Sequence, residues 1–208
     1  MLNKICINSM KGTIKTVFIG ESNTGKTSMV YRLMKNEFSN YSESTIGASF
    51  VTVKYDDITY QIWDTAGQER YNSLIPMYCK NAELIFFVFD LNNPASINKL
   101  DFYMDKIVEY DIKMKLMIVG NKLDLVKEVP SDISGLIDKK VEKYMNLKDN
   151  IEYINVSVKN ATNFDVLVNK MKSQGQRIIK EKINEPRNKT INLNDPVIIK
   201  EDDGKCTC

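Results

Sequence analysis

The sequence predicts an α/β protein: a six-stranded, mostly parallel sheet with one antiparallel edge strand and helices on both faces. Three observations predict it. Short β-rich apolar runs alternate along the chain with longer stretches of helical period, the pattern of strands joined by crossover helices. Runs such as Leu84-Ile-Phe-Phe-Val-Phe89 are apolar without interruption, as strands covered on both faces require. One pair of runs is separated only by Asp56-Asp57, which reads as a hairpin turn and adds the single antiparallel strand.

The elements follow in order. Ile14–Ile19 is a strand that runs into a glycine-containing loop, and Lys26–Lys35 is the helix after it. In Ser49–Tyr55 the apolar Val51, Val53 and Tyr55 alternate with polar residues, and Ile58–Trp63 returns after the turn. Leu84–Asp90, Lys115–Val119 and Ile151–Val156 are the remaining strands; about Ala95–Tyr110 and Ile133–Leu147 are the helices between them. The last helix, Phe164–Lys182, places Phe164, Leu167, Val168 and Met171 at i, i+3, i+4 and i+7. These elements make one domain over residues 12–183. Beyond it, residues 184–208 hold Pro186, Pro196, several Asn and the run Lys200-Glu-Asp-Asp203, and read as a flexible extension.

Composition narrows the chemistry. The 208 residues carry 29 Lys+Arg against 27 Asp+Glu, a net charge of +2, so charge gives no case for a nucleic-acid partner. There is no histidine, which excludes Ser-His-Asp and Cys-His catalysis, histidine zinc sites and histidine pH switches. The four cysteines, Cys6, Cys79, Cys206 and Cys208, are too sparse for a secreted disulfide framework. No signal peptide or myristoylation start is expected at the N-terminus. The longest apolar run, Leu84–Phe89, falls far short of the ~20 residues of a membrane span.

Four segments at strand ends carry chemistry. Gly20-Glu-Ser-Asn-Thr-Gly25-Lys26-Thr27 follows a strand and opens a helix, the context of a phosphate-binding loop. Its logic is anion capture: successive backbone N–H groups and the helix N-terminus face phosphate oxygens, with Gly20 and Gly25 allowing the tight backbone and Ser22, Asn23, Thr24 and Ser28 completing the nucleotide-binding set. Lys26 reaches the β- and γ-phosphates and Thr27 offers a hydroxyl to Mg²⁺. A chance glycine turn with a surface lysine is the alternative.

The second segment is Trp63-Asp64-Thr65-Ala66-Gly67-Gln68-Glu69-Arg70. Asp64 can serve the Mg²⁺ shell through water, Gly67 can bring its N–H close to a γ-phosphate, and Gln68 can orient an attacking water. An isolated D-x-x-G is more often an ordinary turn. Eight residues in this order make chance implausible. In the third, Asn121-Lys122-Leu123-Asp124, the carboxylate of Asp124 can accept from the N1–H and N2 amino edge of guanine, whereas adenine offers no such donors. A helix cap would account for Asp124 but for neither Asn121 nor Lys122. The fourth, Ser157-Val158-Lys159, can present the Val158 N–H to guanine O6 and pack Lys159 over the base.

Together with Thr45-Ile46-Gly47, these segments resemble in order and spacing the five motifs of the Ras-superfamily small GTPases, over roughly residues 12–183. The resemblance implies the P-loop GTPase domain as the fold, GTP and GDP as ligands, and Mg²⁺ held with the help of Thr27, Thr45 and Asp64. It puts Thr45 on Mg²⁺ and γ-phosphate in the GTP state, and Phe38 against the guanine edge. Catalysis is then positioning plus charge stabilisation by Lys26, Thr45, Gly67 and Gln68, with no covalent catalyst. No arginine lies in the phosphate loop, so an activating protein is expected to complete the transition-state charge.

Ile46-Gly-Ala-Ser-Phe50, Tyr60–Arg70, Tyr78–Ala82 and the ending Cys206-Thr-Cys208 resemble the Rab branch, most of all its early-endosomal group. That implies a switch recruiting effectors to the cytoplasmic face of endosomal membranes, with a cytosolic pool. Ile46, Phe50, Trp63 and Tyr78 are then the effector-facing residues, although Phe50 and Trp63 also read as ordinary core or hairpin aromatics. Cys206 and Cys208 are the implied geranylgeranyl acceptors; a redox pair or metal ligands is the alternative. The implied partners are an exchange factor, an activating protein, a Rab escort protein, a GDP-dissociation inhibitor and effectors, acting on a monomer.

The sequence departs from the family at Ser22, where some relatives carry glycine, and at Val158, which replaces the usual alanine. The segment between Asp124 and Ser157 is slightly long. Two other functions stay open at this point. A P-loop nucleotide phosphotransferase would need lid arginines, and the chain has four arginines in all. A GTP-binding scaffold that does not cycle would have no use for Gln68, Thr45 and Asp64.

Overall fold

A computed structural model describes residues 11–40, 43–93, 95–108, 114–128, 131–144 and 150–184. Cys6, Cys206 and Cys208 lie outside them.

The chain runs β1 (Gly12–Ile19), α1 (Lys26–Lys35), β2 (Ala48–Tyr55), β3 (Ile58–Thr65), α2 (Ile75–Cys79), β4 (Leu84–Asp90), α3 (Ala95–Val108), β5 (Lys115–Asn121), α4 (Ser131–Lys143), β6 (Ile151–Asn155) and α5 (Phe164–Asn184). Short 3-10 helices at Glu69–Leu74 and Leu123–Leu125 complete the list. All six expected strands and four expected helices are present, with bounds shifted by a few residues: β3 and β5 each run two residues further, and α4 starts two earlier. Glu69–Cys79 was not foreseen as helical.

The sheet order is β2-β3-β1-β4-β5-β6. Every pair is parallel except β2 with β3, which meet antiparallel across the Asp56-Asp57 turn, Tyr55 opposite Ile58. Asp56 takes φ 53°, a left-handed value that Asp tolerates better than most residues.

The period of two in each strand builds two cores. In β4, Leu84, Phe86 and Val88 face one side and Ile85, Phe87 and Phe89 the other, all of them buried. The first side is covered by Met29, Val30 and Leu33 of α1 and by Phe164, Leu167, Met171, Ile178 and Ile179 of α5. The second is covered by α2, α3 and α4 through residues such as Ile75, Ile97, Leu100, Met104 and Ile137. Phe18 stacks on Phe86 with ring centroids 4.5 Å apart. Each such buried side chain contributes about 1.5–3 kcal/mol of transfer free energy.

This topology decides where a site can form. Strand order reverses at β1, which has β3 on one side and β4 on the other. Ligands of open α/β sheets bind outside the carboxyl ends of the strands at such a point. Because β1, β3, β4, β5 and β6 are parallel, their C-terminal loops share one edge. Those are the loops that carry the four sequence segments. Among the described residues no helix is long and apolar enough to cross a membrane.

Candidate functional site

The loops at that edge enclose a cleft of about 580 Å³. The phosphate loop forms its floor. Gly25 closes the loop at φ 94° and is followed directly by α1, whose first turn has no capping side chain and no acidic residue. The helix N–H groups therefore stay available to an anion. A Cβ on Gly25 would run into the Asn121 amide nitrogen, so this position needs glycine twice over.

Lys26 is 4% exposed, and its Nζ donates to the carbonyls of Gly20 at 2.9 Å and Glu21 at 2.7 Å. Burial pulls its pKa down to about 8, against the attraction of Asp64 and Glu21. A cation so placed gains from any phosphate that enters beside it.

Thr27 begins the second cluster. Its hydroxyl donates to Asp64 Oδ2 at 2.7 Å and lies 2.9 Å from the Thr45 hydroxyl. Asp64 Oδ1 is buried with no hydrogen-bond partner. Burial pushes the Asp64 carboxyl up, opposed by the Thr27 hydroxyl and by the Lys26 ammonium. A buried carboxylate with a spare oxygen beside two hydroxyls is a hard, all-oxygen donor set. It fits Mg²⁺, which takes one or two carboxylates and keeps several waters.

The base-side loops are stitched to the phosphate loop by one amide. Asn121 Nδ2 donates to the Thr24 carbonyl at 2.8 Å, and its Oδ1 accepts the Val158 N–H at 3.1 Å. The Val158 N–H expected at guanine O6 thus has a partner inside the protein, and its bond to Asn121 fixes the loop's height over the cleft. Ser157 donates from Oγ to Asp124 Oδ1 at 2.5 Å and so aims that carboxylate. Lys122, at φ 64°, is paired with Asp90 of β4 at 2.8 Å.

Ser22, Asn23, Gly25, Lys26, Thr27, Ser28, Phe38, Thr45, Gly67, Gln68, Asn121, Lys122, Asp124, Val158 and Lys159 all line the cleft. Four expected residues do not. Gly20 holds Lys26 through its carbonyl, Thr24 receives Asn121, Ser157 orients Asp124, and Asp64 stands behind Thr27. Thr24, Ser157 and Asp64 are all buried.

Residues the sequence did not single out also line the cleft: Ser39, Asn40, Glu43, Ser44, Thr65 and Leu125. Their positions beside Phe38, Thr45, Asp64 and Asp124 were the available signal. Arg32 and Asp90, which hold the base-side loops from behind, gave none, because their partners lie far away in sequence.

Away from the cleft, Phe50, Trp63 and Tyr78 form a row on the outer face of β2, β3 and α2. Ring centroids are 5.3 Å apart for Phe50–Trp63 and 5.9 Å for Trp63–Tyr78, and Lys15 Nζ lies 5.6 Å from the Trp63 centroid. Phe50 is 51% and Ile46 80% exposed, while Trp63 and Tyr78 are half-buried against the second core. Phe50 and Ile46 are therefore open to solvent, and Trp63 and Tyr78 also serve the second core.

Comparison with known proteins gives the same grouping. A Ras family profile matches residues 15–177. GTP-binding protein ypt5 of Schizosaccharomyces pombe is 33% identical over 203 residues, covering 93% of each chain. GTP-binding protein YPT53 of Saccharomyces cerevisiae is 36% identical over 158 residues, 73% of this chain and 71% of the relative. Ras-related protein RABF2a of Arabidopsis thaliana is 36% identical over 154 residues, 72% of this chain and 74% of the relative. With the phosphate loop, the threonine–aspartate cluster and the base-side loops on one cleft, the chain belongs to the Ras family of small GTPases, in its Rab branch.

Proposed function

We propose that the protein is a GTP-hydrolysing switch of vesicle traffic that works on endosomal membranes. The observation that carries this is the single cleft in which Asn121 ties Thr24 of the phosphate loop to Val158 of the base loop. A site joined in that way reads base and phosphates as one ligand. Asp124 faces a base that donates two hydrogen bonds, which is guanine rather than adenine.

Lys26 and the amides of residues 22–27 hold the phosphates. Thr27, Thr45 and Asp64 would hold Mg²⁺, whose charge neutralises phosphate oxygens when it is bound. Gly67 brings its N–H to the γ-phosphate, and Gln68 orients a water in line with the bond to be broken. Loss of that phosphate frees Thr45 and Gly67, and this changes the surface around Ile46, Phe50, Trp63 and Tyr78 that effectors read. An exchange factor and an activating protein set the two directions of the cycle.

Membrane attachment is assigned to geranylgeranyl chains on Cys206 and Cys208, delivered by a Rab escort protein and extracted by a GDP-dissociation inhibitor. One chain gives marginal binding and two give stable anchoring, at ~0.8 kcal/mol per buried CH₂. The tail's net charge of −1 (four basic against five acidic residues after position 183) gives no polybasic help.

The test is single-turnover hydrolysis by purified, GTP-loaded protein. Intrinsic release of phosphate is expected on the order of 10⁻⁴ s⁻¹, the scale of an unassisted Ras-type site. A rate near 1 s⁻¹ without a partner refutes the positioning account. Phosphate transfer to a nucleoside monophosphate would identify a phosphotransferase, and no turnover even with an activating protein a non-cycling scaffold. In cells, Gln68→Leu should accumulate on endosomes and Thr27→Asn should leave them. Changing both Cys206 and Cys208 to Ser should leave the protein in the cytosol.

A further inference from the structure

Asn121 is not the only residue holding the base-side loop. Arg32 of α1 is 8% exposed, and its guanidinium carbon lies 5.8 Å from the Phe164 ring centroid. Its Nε donates to the Val158 carbonyl at 2.5 Å and its Nη2 to the Lys159 carbonyl at 3.1 Å. Val158 is thereby fastened from both sides, its N–H by Asn121 and its carbonyl by Arg32.

A guanidinium taken out of water costs free energy unless its donors are met. Here two successive carbonyls take two of its five N–H groups, and only a planar fork can hold both at fixed angles. Lysine, a point charge on a flexible stem, cannot. Arg32 also lies six residues after Lys26 on the same helix, about 9 Å along its axis. One rigid helix therefore carries the phosphate-contacting residues at its start and the clamp on the base loop near its end.

We infer that Arg32 is a positioning residue for guanine recognition, which aims the Lys159 N–H of the 157–159 loop at the purine C6 carbonyl, the Ser157 and Val158 N–H groups being bonded to Thr162 and Asn121, and locks that loop to the phosphate helix. Arg32 itself does not line the cleft. The inference rests on the guanine-nucleotide reading above.

The experiment compares release of GDP, 6-thioguanosine diphosphate and inosine diphosphate from the full-length protein and its Arg32→Gln and Arg32→Lys variants. Sulfur at C6 is a weak acceptor, so the thio analogue probes the loop that Arg32 holds. Inosine keeps the C6 carbonyl but lacks the N2 amine, so it probes Asp124. Arg32→Gln should release GDP about tenfold faster, the worth of one hydrogen bond. Its preference for GDP over the thio analogue should collapse toward one, while its preference for GDP over inosine diphosphate stays within twofold of wild type. Arg32→Lys should fall between, and it carries the same two ratios if the Gln variant does not fold.

Faster release with both ratios unchanged would show general loosening and overturn the inference, as would wild-type release of GDP. A wild-type protein that binds ADP as well as GDP would instead sink the guanine reading.

Discussion

Gly67→Ala separates the chemistry of the site from the stability of the fold. Among the described residues the glycines with positive φ are Gly20, Gly25 and Gly47; Gly67 is not one of them, so alanine fits its backbone. What forbids a side chain there is a close approach. A Cβ on Gly67 would sit 2.5 Å from the Glu21 carbonyl oxygen and nearer still to Glu21 C and Ser22 N, where ordinary contact begins at 3.4 Å. The neighbours are backbone of the phosphate loop and cannot swing aside. The 66–68 segment must therefore retreat by about 1 Å, which takes an N–H···O bond of ~2.9 Å beyond useful length. Hydrogen bonds to charged groups are worth about 1.5–3 kcal/mol, so single-turnover hydrolysis should fall roughly 10- to 100-fold. GDP has no γ-phosphate, and its release should stay within about twofold of wild type. Stability should barely move, because replacing glycine restricts the unfolded chain by about 0.4–1 kcal/mol and offsets the lost contact. The assays are phosphate release from GTP-loaded protein, displacement of a fluorescent GDP, and thermal unfolding. Hydrolysis at the wild-type rate would falsify the claim that the Gly67 N–H serves the γ-phosphate.

On the proposed role of Asp124 as acceptor of two guanine N–H groups, Asp124→Asn should weaken GDP binding on the order of a thousandfold, at about 1.5–3 kcal/mol for each charged hydrogen bond. Xanthosine diphosphate, which has a carbonyl at C2, should recover much of that loss in a competition assay. Cys79 is buried and its thiol is pushed up to about 12 by that burial, against an ordinary 9.0, with Lys15 pulling the other way. Peptide mapping should find it unreactive to iodoacetamide at pH 8 in the folded protein. With the folded value raised, the thiol's contribution to stability is whole below about pH 9 and is lost as pH rises from there toward 12. Labelling of Cys79 as fast as a free thiol would contradict its burial. Trp63 is the one tryptophan in the chain and packs against Phe50 and Tyr78. Its emission should differ between the GDP and GTP forms and lose that difference in Tyr78→Ala; identical spectra in wild type would count against repacking.

The parts of this molecule that were legible in its sequence are those whose cause is local. Leu84–Asp90 could be bounded because every residue of β4 is buried and the run therefore has no polar interruption. The hairpin was legible because two residues that tolerate turns, Asp56 and Asp57, sit between two β runs. The site was legible because phosphate loops and base loops are short, ordered strings at strand ends. Glu69–Cys79 was not legible as helix: it is a short 3-10 helix followed by a five-residue helix starting Ile75-Pro76, too short to show a period. Arg32 carries no local signal, and only a partner 126 residues away makes it part of the site. The supporting roles of Thr24, whose carbonyl accepts Asn121, and of Ser157, whose hydroxyl orients Asp124, were not legible, because a motif does not say which of its members also hold the others.

The strand carrying Asp64 also carries Trp63, and strand alternation settles how the two communicate. Ile62 packs in the first core and Trp63 against the second, so Trp63 and Asp64 point to opposite faces of β3. β3 is paired with β1 on one side and along its whole length with β2 on the other. It cannot slide without breaking two ladders, and a slip of one residue would exchange its faces. Trp63 is therefore a fixed platform, and a change at the phosphate must reach it through what lies on top. Thr45 is held at Thr27, two residues before Gly47, whose carbonyl accepts the Ala66 N–H at 2.8 Å. A Cβ on Gly47 would lie 3.6 Å from the Tyr78 hydroxyl, so Tyr78 and the Thr45 segment are neighbours. Releasing Thr45 and Gly67 removes the tethers at both ends of the Gly47–Ala66 bond and loosens the seat of Tyr78, while Trp63 stays in place. The exposed aromatic row is then altered by repacking Tyr78 and Phe50 around an unmoved tryptophan, and no shift of the sheet is required.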